Sequence, residues 1–292
     1  MQEFNLPSFV AGFWRLDEWQ QRGSSLTQFI EQLLALGIDT VDHADIYGQY
    51  QCEKLFGEAL TPYLRDQLKI ITKCGIKPAW PENGFAGKTA HYDSSKANII
   101  ASAEQSLRNF KTDRLDVLLI HRPDYLMHTD EVADAFCELK AQGKVLHFGV
   151  SNFTVSQFEL LQSRLDLKLV TNQIEMSPLH MGALDDGTLN LCQQHQISPM
   201  LWSPLAGGRL FAETEQAQRV RTALHSVAEE TGLDSVDQAA YAWLLTLPCQ
   251  PSVILGTGKL ARIQSAVAAS KVRLSREQWY RVWQASTGHS VP

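Results

Sequence analysis

The chain has 292 residues, of which 44% are hydrophobic and 20% charged, with a formal net charge of −6. This is a globular composition, and its mild acidity speaks against nucleic acid or an anionic membrane surface as main partner, because both reward a basic face. No run approaches the ~20 apolar residues of a membrane span. The N-terminal MQEFNLPSF lacks the basic and apolar parts of a signal peptide. The five cysteines (52, 74, 137, 192, 249) form no CxxC, so a cytoplasmic location with mostly small, buried, apolar cysteines is expected.

Strand-like apolar runs alternate with helical patterns: FVAGFW (9–14), GIDTV (37–41), LKIIT (68–72), LDVLLI (115–120), KVLHFGV (144–150), LVTNQI (169–174), PMLW (199–202) and SVIL (252–255). Between the first two, residues 25–36 place Leu26, Phe29, Ile30, Leu33 and Leu34 on one helical face. Ser25 and Gln28 there have the spacing of a capping box, as do Thr154–Gln157, Ser235–Gln238 and Ser275–Gln278. Gly37, Gly143 and Gly232 stand where helices should stop. No linker or low-complexity stretch interrupts the alternation, which predicts parallel β/α architecture. A doubly wound sheet is the rival, but no G-x-G-x-x-G follows the first strand. Length alone suggests about two domains, yet barrels of roughly 250 residues or more form one. A single (β/α)8 TIM barrel domain over 1–292 is therefore the expectation.

In such a barrel the active site lies at the C-terminal ends of the strands. Polar residues recur at those ends: Asp42 to Tyr47 after strand two, Lys73 after three, His121 after four. Ser151 and Asn152 follow strand five, Gln173 is late in six, Trp202 and Ser203 end seven, and Thr257 to Arg262 follow eight. A Tyr, a Lys, an Asp and a His at one mouth suit proton transfer. The phenol has a pKa near 10, a neighbouring Lys cation lowers it, and an Asp beside that Lys keeps the ammonium charged. A His can orient a carbonyl oxygen while hydride from a cofactor reaches its carbon.

At these residues the sequence resembles the aldo/keto reductases. GIDTVDHADIYG (37–48), ITK (71–73), LLIHRPD (118–124), GVSNF (149–153), TNQIEMSP (171–178), WSPL (202–205) and GTGKLARI (256–263) match the family's blocks in order. The resemblance implies reduction of a small carbonyl compound with NADPH and no metal. Tyr47 becomes the acid/base, Lys73 and Asp42 tune it, and His121 orients the carbonyl. Gly12, Phe13, Ser151, Asn152, Gln173 and Trp202 fall to the cofactor, the last stacking on the nicotinamide. Ser203, Leu205, Gly207 and Arg209 are assigned to the pyrophosphate path. Gly256, Thr257, Gly258, Lys259 and Arg262 belong at the adenosine 2′-phosphate, and Trp14, Trp80 and Arg122 at the substrate. The sequence departs from the pattern in three places: His43 replaces a small Thr or Ser, Trp202 a Tyr or Phe, and Ser265–Ala266 an acidic residue and an Asn facing the adenine. The last departure predicts a loosely held adenine.

Bland readings compete at several positions. Asp45 reads as a loop residue, His43 as structural and Cys74 as inert. Trp14, Trp80 and Trp202 suit an apolar core, while Gly207 and Gly208 suit a simple turn. Arg122 and Lys77 suit either solvent or an acidic substrate. A barrel metallohydrolase with Asp42, His43, Asp45, His121 and Asp124 as ligands is a second function, weakened by the absence of H-x-H at strand one. A cofactor-binding, redox-sensing regulatory subunit is a third. Substrate choice is assigned to loops 75–93, 122–130 and 206–214. The short stretch after the last cofactor block predicts an open pocket, and the assembly is expected to be a monomer or weak homo-oligomer.

Overall fold

The computed structural model describes residues 4–80 and 89–292, so part of the 75–93 loop lies outside the described residues. Eight parallel strands close a barrel. In chain order they are Phe9–Gly12, Thr40–Asp42, Lys69–Cys74, Leu115–Ile120, Val145–Ser151, Leu169–Glu175, Met200–Trp202 and Ser252–Leu255. These are the eight expected runs, with ends shifted by up to a few residues. Their near-continuous burial is what parallel strands covered on both faces require. A small antiparallel ladder, Ile76–Lys77 with His91–Tyr92, stands apart from the barrel. Among the described residues no helix is long and apolar enough to cross a membrane.

The chain divides into two compact units, Met1–Asn5 with Ala11–Asn172, and Leu6–Val10 with Gln173–Pro292. In the first unit the register sets Gly12 beside Asp42, Asp42 beside Ile71, and Lys73 beside Leu119. The Ser24–Ala35 helix buries Leu26, Phe29, Ile30 and Leu33. It ends with Gly37 at φ 78°, where Ile38 N reaches Leu33 O at 3.0 Å and Gly37 N reaches Leu34 O at 2.9 Å. Its expected capping box does not form, because the helix starts at Ser24 and the Ser25 hydroxyl turns back to Arg22 N and O, both at 2.9 Å.

Glu53, on the Cys52–Ala59 helix, is fully buried and ties three elements together. It accepts from Thr72 Oγ1 (2.7 Å), Ser106 Oγ (2.8 Å) and Asn109 Nδ2 (2.9 Å). Burial raises its pKa, and those three donors oppose the rise. Beside it, a Cβ on Gly57 would lie 2.0 Å from Asn109 O, so only glycine lets the Lys96–Phe110 helix come this close.

In the second unit the register pairs Gln173 with Met200 and Glu175 with Trp202, and Val253 with Leu201. The Thr154 and Ser275 capping boxes are both complete. The Ser235 one is not: Ser235 is the N-cap without a side-chain bond, and Gln238 Oε1 accepts from Asp234 N at 2.9 Å instead. The Arg276–Thr287 helix docks by a stacked indole pair, Trp243 and Trp279, whose rings lie 4.8 Å apart at 10°. Each indole N–H donates to the other residue's carbonyl, at 3.0 and 3.2 Å.

Candidate active site

The ladder between strands two and three continues past Asp42: His43 N donates to Ile71 O at 2.8 Å and Asp45 N to Lys73 O at 3.0 Å. The chain then turns sharply through three left-handed residues, Gly48 (φ 55°), Gln49 (54°) and Tyr50 (67°). Each of the two non-glycine residues costs roughly 1–2 kcal/mol of local strain. Gly48 has no alternative, because a Cβ there would sit 2.7 Å from both Asp17 Cγ and Cys52 Sγ.

This turn presents Tyr47 to Lys73. The Lys73 ammonium is fully buried and spends its three protons on Asp42 Oδ2 (2.8 Å), His43 O (2.6 Å) and Tyr47 Oη (3.0 Å). It also lies 4.8 Å from the centre of the Tyr47 ring. Burial works against the charged lysine, but Asp42 and Tyr47 outweigh it, and its pKa is raised. The phenol departs from the sequence expectation. Burial raises the Tyr47 pKa, and Lys73 is the largest influence opposing the rise rather than the winner. Tyr47 is thus a firmly protonated acid beside a firmly charged cation.

His121 meets the Tyr47 ring edge-on at 5.8 Å. Burial, then the Lys73 and Arg122 charges, depress its pKa well below the usual histidine range, so the ring is neutral. Asn152 takes φ 59°, and its amide donates to Ser151 Oγ (2.8 Å) and His121 O (3.4 Å). Asp42, Tyr47, Lys73 and His121 are therefore brought together, with Ser151 and Asn152 next to them.

The second unit presents its own assigned residues at its strand ends. After Trp202 the backbone runs through positive φ at Ser203 (53°), Ala206 (54°), Gly207 (63°) and Gly208 (94°). Arg209 is tied back by Nε to Ala206 O at 2.9 Å and by an ion pair to Glu175 at 3.3 Å. Leu205 lies within this turn, and Gln173 is buried with Nε2 3.8 Å from Met200 Sδ. Gly256, Thr257 and Gly258 lead into the Leu260–Ala269 helix, whose N-cap is Lys259. Lys259 N reaches Thr257 Oγ1 at 3.3 Å, and Lys259 and Arg262 are both exposed. A helix start beside two cations fits a phosphate. Position 266 is different from its expected role: Ala266 is fully buried, so its methyl belongs to the core and no adenine touches it. Ser265 Oγ accepts from Gln238 Nε2 at 3.1 Å.

The remaining assignments separate. Phe13 is fully buried among Trp19, Phe29, Phe56 and His43, which leaves only its backbone, and that of buried Gly12, to a ligand. Trp14 is 51% exposed, not core. Trp80 is half-buried, edge-on to Tyr50 at 5.9 Å, and Arg122 is half-buried. His43 is stacked on Phe13 at 5.0 Å with Phe56 and Phe110 at its edges, and burial keeps it neutral. As a caged ring beside an Asp42 committed to Lys73, it does not suit the metal-ligand reading. Of the cysteines only Cys137 is exposed. Asp45 is no ordinary loop residue: it is 7% exposed, and burial lifts its carboxyl to about 8. Spacing carried no hint of this, nor of Ser94, a second buried polar residue close to the site.

The aldo/keto reductase family profile matches residues 9–286. The oxidoreductase YdhF of Escherichia coli is 53% identical over 286 residues, covering 97% of this chain and 95% of the relative. The 6-dehydroglucose reductase of Agrobacterium fabrum is 41% identical, covering 99% and 97%. Among solved structures, the glycerol dehydrogenase AKR11B4 of Gluconobacter oxydans shares the fold at a TM-score of 0.83 and 23% identity, over 97% of this chain and 92% of that one. With a family profile and relatives spanning nearly its whole length, the chain belongs to the aldo/keto reductases and is an oxidoreductase of that family.

Proposed function

We propose that the chain reduces aldehydes or ketones to alcohols with NADPH, Tyr47 acting as general acid. The observation that carries this is the Asp42–Lys73–Tyr47 chain, in which buried Lys73 Nζ lies 2.8 Å from the carboxylate and 3.0 Å from the phenol. Tyr47 donates its proton to the carbonyl oxygen, and the Lys73 cation stabilises the phenolate that remains. Asp42 holds that cation in place. His121, being neutral, offers an N–H to the same oxygen without adding charge. Bound NADPH supplies the hydride. Ser151, Asn152, Gln173 and Trp202 hold its nicotinamide, Gly12 and Phe13 contribute backbone, and Ser203, Leu205, Gly207 and Arg209 follow its pyrophosphate. The Gly256–Lys259 segment and Arg262 meet its 2′-phosphate. Trp14, Trp80 and Arg122 border the substrate.

In this reading residues 1–292 work as one cytoplasmic domain, a monomer or weak homo-oligomer, on a small carbonyl compound. The relatives named as 6-dehydroglucose reductases support an aldehyde at the end of a hydroxylated chain. The test is NADPH oxidation by purified protein with a panel of aldehydes, ketones and sugar aldehydes. Tyr47→Phe should lower kcat on the best substrate about 10²-fold or more while NADPH still binds. A Tyr47→Phe variant at the parental rate defeats the assignment. Cofactor binding with negligible turnover on the whole panel would instead mark a regulatory subunit.

A further inference from the structure

Glu175 is the last residue of its strand, and the register sets it beside Trp202, whose carbonyl takes the following amide, Met176 N, at 3.3 Å. Its side chain, 22% exposed, crosses to Arg209, where Nη2 donates to Oε1 at 3.3 Å. Through its backbone and its side chain, one residue therefore holds both ends of the turn from Trp202 to Arg209.

The backbone of that turn is well tied. Ala206 N donates to Ser203 O at 2.7 Å, Gly208 N to Leu205 O at 3.0 Å and Ala212 N to Arg209 O at 3.0 Å. Arg221 Nη1 donates to Leu210 O and Ala212 O, at 2.9 and 2.6 Å. A Cβ on Gly207 or Gly208 would meet nothing within 4 Å, so the space over this backbone is open. The Arg209 side chain is 67% exposed. A guanidinium has five N–H groups. Among the described residues, Nε is held by Ala206 O at 2.9 Å and one Nη2 proton by Glu175, which leaves three donors for a ligand.

Stability is a poor account of the Glu175–Arg209 pair. An exposed ion pair contributes little to folding, because water screens it and two long side chains lose freedom in forming it. Its main physical consequence is orientation. A long, exposed arginine is confined to one direction in advance, and that ordering is then no longer a cost of binding. The carboxylate charge itself works the other way, since it repels an anionic ligand. What serves is the acceptor at that reach.

We propose that Glu175 is a cofactor-positioning residue, which through Arg209 holds guanidinium donors in place for the diphosphate of the dinucleotide. This rests on the reductase reading above, in which Arg209 follows the pyrophosphate.

The experiment measures dissociation constants for NADPH and NADH by quenching of tryptophan fluorescence, and for adenosine 2′-phosphate, which has no diphosphate, by its displacement of NADPH. Glu175→Ala should weaken NADPH and NADH alike, by about three- to tenfold, the cost of ordering one long side chain. Adenosine 2′-phosphate should stay within about twofold of wild type, which a general loosening of the fold would not allow. Glu175→Gln keeps an acceptor without the charge and should restore both dinucleotides to within about twofold of wild type. In an Arg209→Ala background Glu175→Ala should cause no further loss, because it acts through that arginine. Unchanged or tighter dinucleotide binding in Glu175→Ala, equal weakening of adenosine 2′-phosphate, or no rescue by Glu175→Gln overturns the proposal. Arg209→Ala separates this failure from that of the reading beneath it. If Arg209→Ala weakens both dinucleotides while Glu175→Ala does not, only the positioning role falls. If Arg209→Ala leaves both at wild-type affinity, the assignment of Arg209 to the pyrophosphate falls, and the proposal with it.

Discussion

The residues of the first unit proposed to handle the proton and the residues of the second proposed to meet the phosphates obey opposite rules. Lys73 is fully buried, its three protons committed at 2.6–3.0 Å, and its surroundings are over-determined by the strand ladder, the left-handed turn and the aromatic cage around His43. Lys259 and Arg262 are exposed charges at the start of a helix that follows Gly256, Thr257 and Gly258. In the first, low dielectric makes each interaction strong and each loss severe. In the second, solvent weakens each contact and lets it be screened. In the proposed reading, chemistry is placed where geometry cannot drift, and charge recognition where a ligand can arrive and leave.

The sharpest way to break this contrast is Lys73→Met. Removing the cation takes from buried Asp42 the ammonium that pairs with it, which should cost about 3–5 kcal/mol of stability by urea unfolding, in addition to the loss of turnover. If Lys73→Met unfolds like wild type, the interior at Asp42 is far more polar than its burial indicates.

Next is Ala266→Asn. Sequence reasoning makes this a gain of adenine binding, but the buried methyl predicts the reverse: about 1–3 kcal/mol lost to an amide without partners, and no tighter NADPH binding by tryptophan quenching. Tighter binding would show that the helix face is turned outward.

Arg262→Ala should be milder. It is expected to weaken NADPH about tenfold while leaving NADH nearly untouched, with the difference shrinking as salt rises. Equal weakening of both cofactors would detach Arg262 from the 2′-phosphate.

The smallest effect is on the pH dependence of the thermal midpoint. His43 and His121 are held neutral in the fold, so below their unfolded pKa of about 6.5 the unfolded chain takes up protons that the folded one refuses, and stability falls as pH drops. Asp45, raised to about 8, acts in the other direction. Its contribution is complete below the unfolded pKa of about 3.9 and is lost as pH rises towards 8. Asp45→Asn should therefore remove the fall in stability between about pH 6.5 and 8 and steepen the acid limb below about 6.5, where Asp45 had opposed the histidines. An unchanged curve would mean that Asp45 is ionised in the fold.

How much of this the sequence holds varies with the physics. Barrel strands are legible because each is an apolar run buried on both faces, and Asp42, Tyr47, Lys73 and His121 because each stands at such a run's end. Two of four capping boxes form and two do not, since spacing fixes neither where a helix starts nor where a cap's side chain turns: Ser25 lies two residues past the N-cap Gly23, and Ser235 is an N-cap whose side chain makes no capping bond. The sign of the net shift at Tyr47 is invisible to sequence, because it is decided by burial against one cation. Ala266 and Asp45 fail for the same reason. Which way a side chain faces at a helix flank or a strand exit depends on partners distant in the chain, and spacing says nothing of them.

The stacked Trp243–Trp279 pair gives the molecule a built-in optical label. Two indoles nearly parallel at 4.8 Å couple their electronic transitions and should produce a paired positive and negative band in far-ultraviolet circular dichroism. The couplet depends on the Arg276–Thr287 helix staying in place and on no residue assigned to a ligand. It should therefore stay silent when cofactor quenches Trp80 or Trp202, and its disappearance on warming would time the departure of the last helix against the melting of the rest.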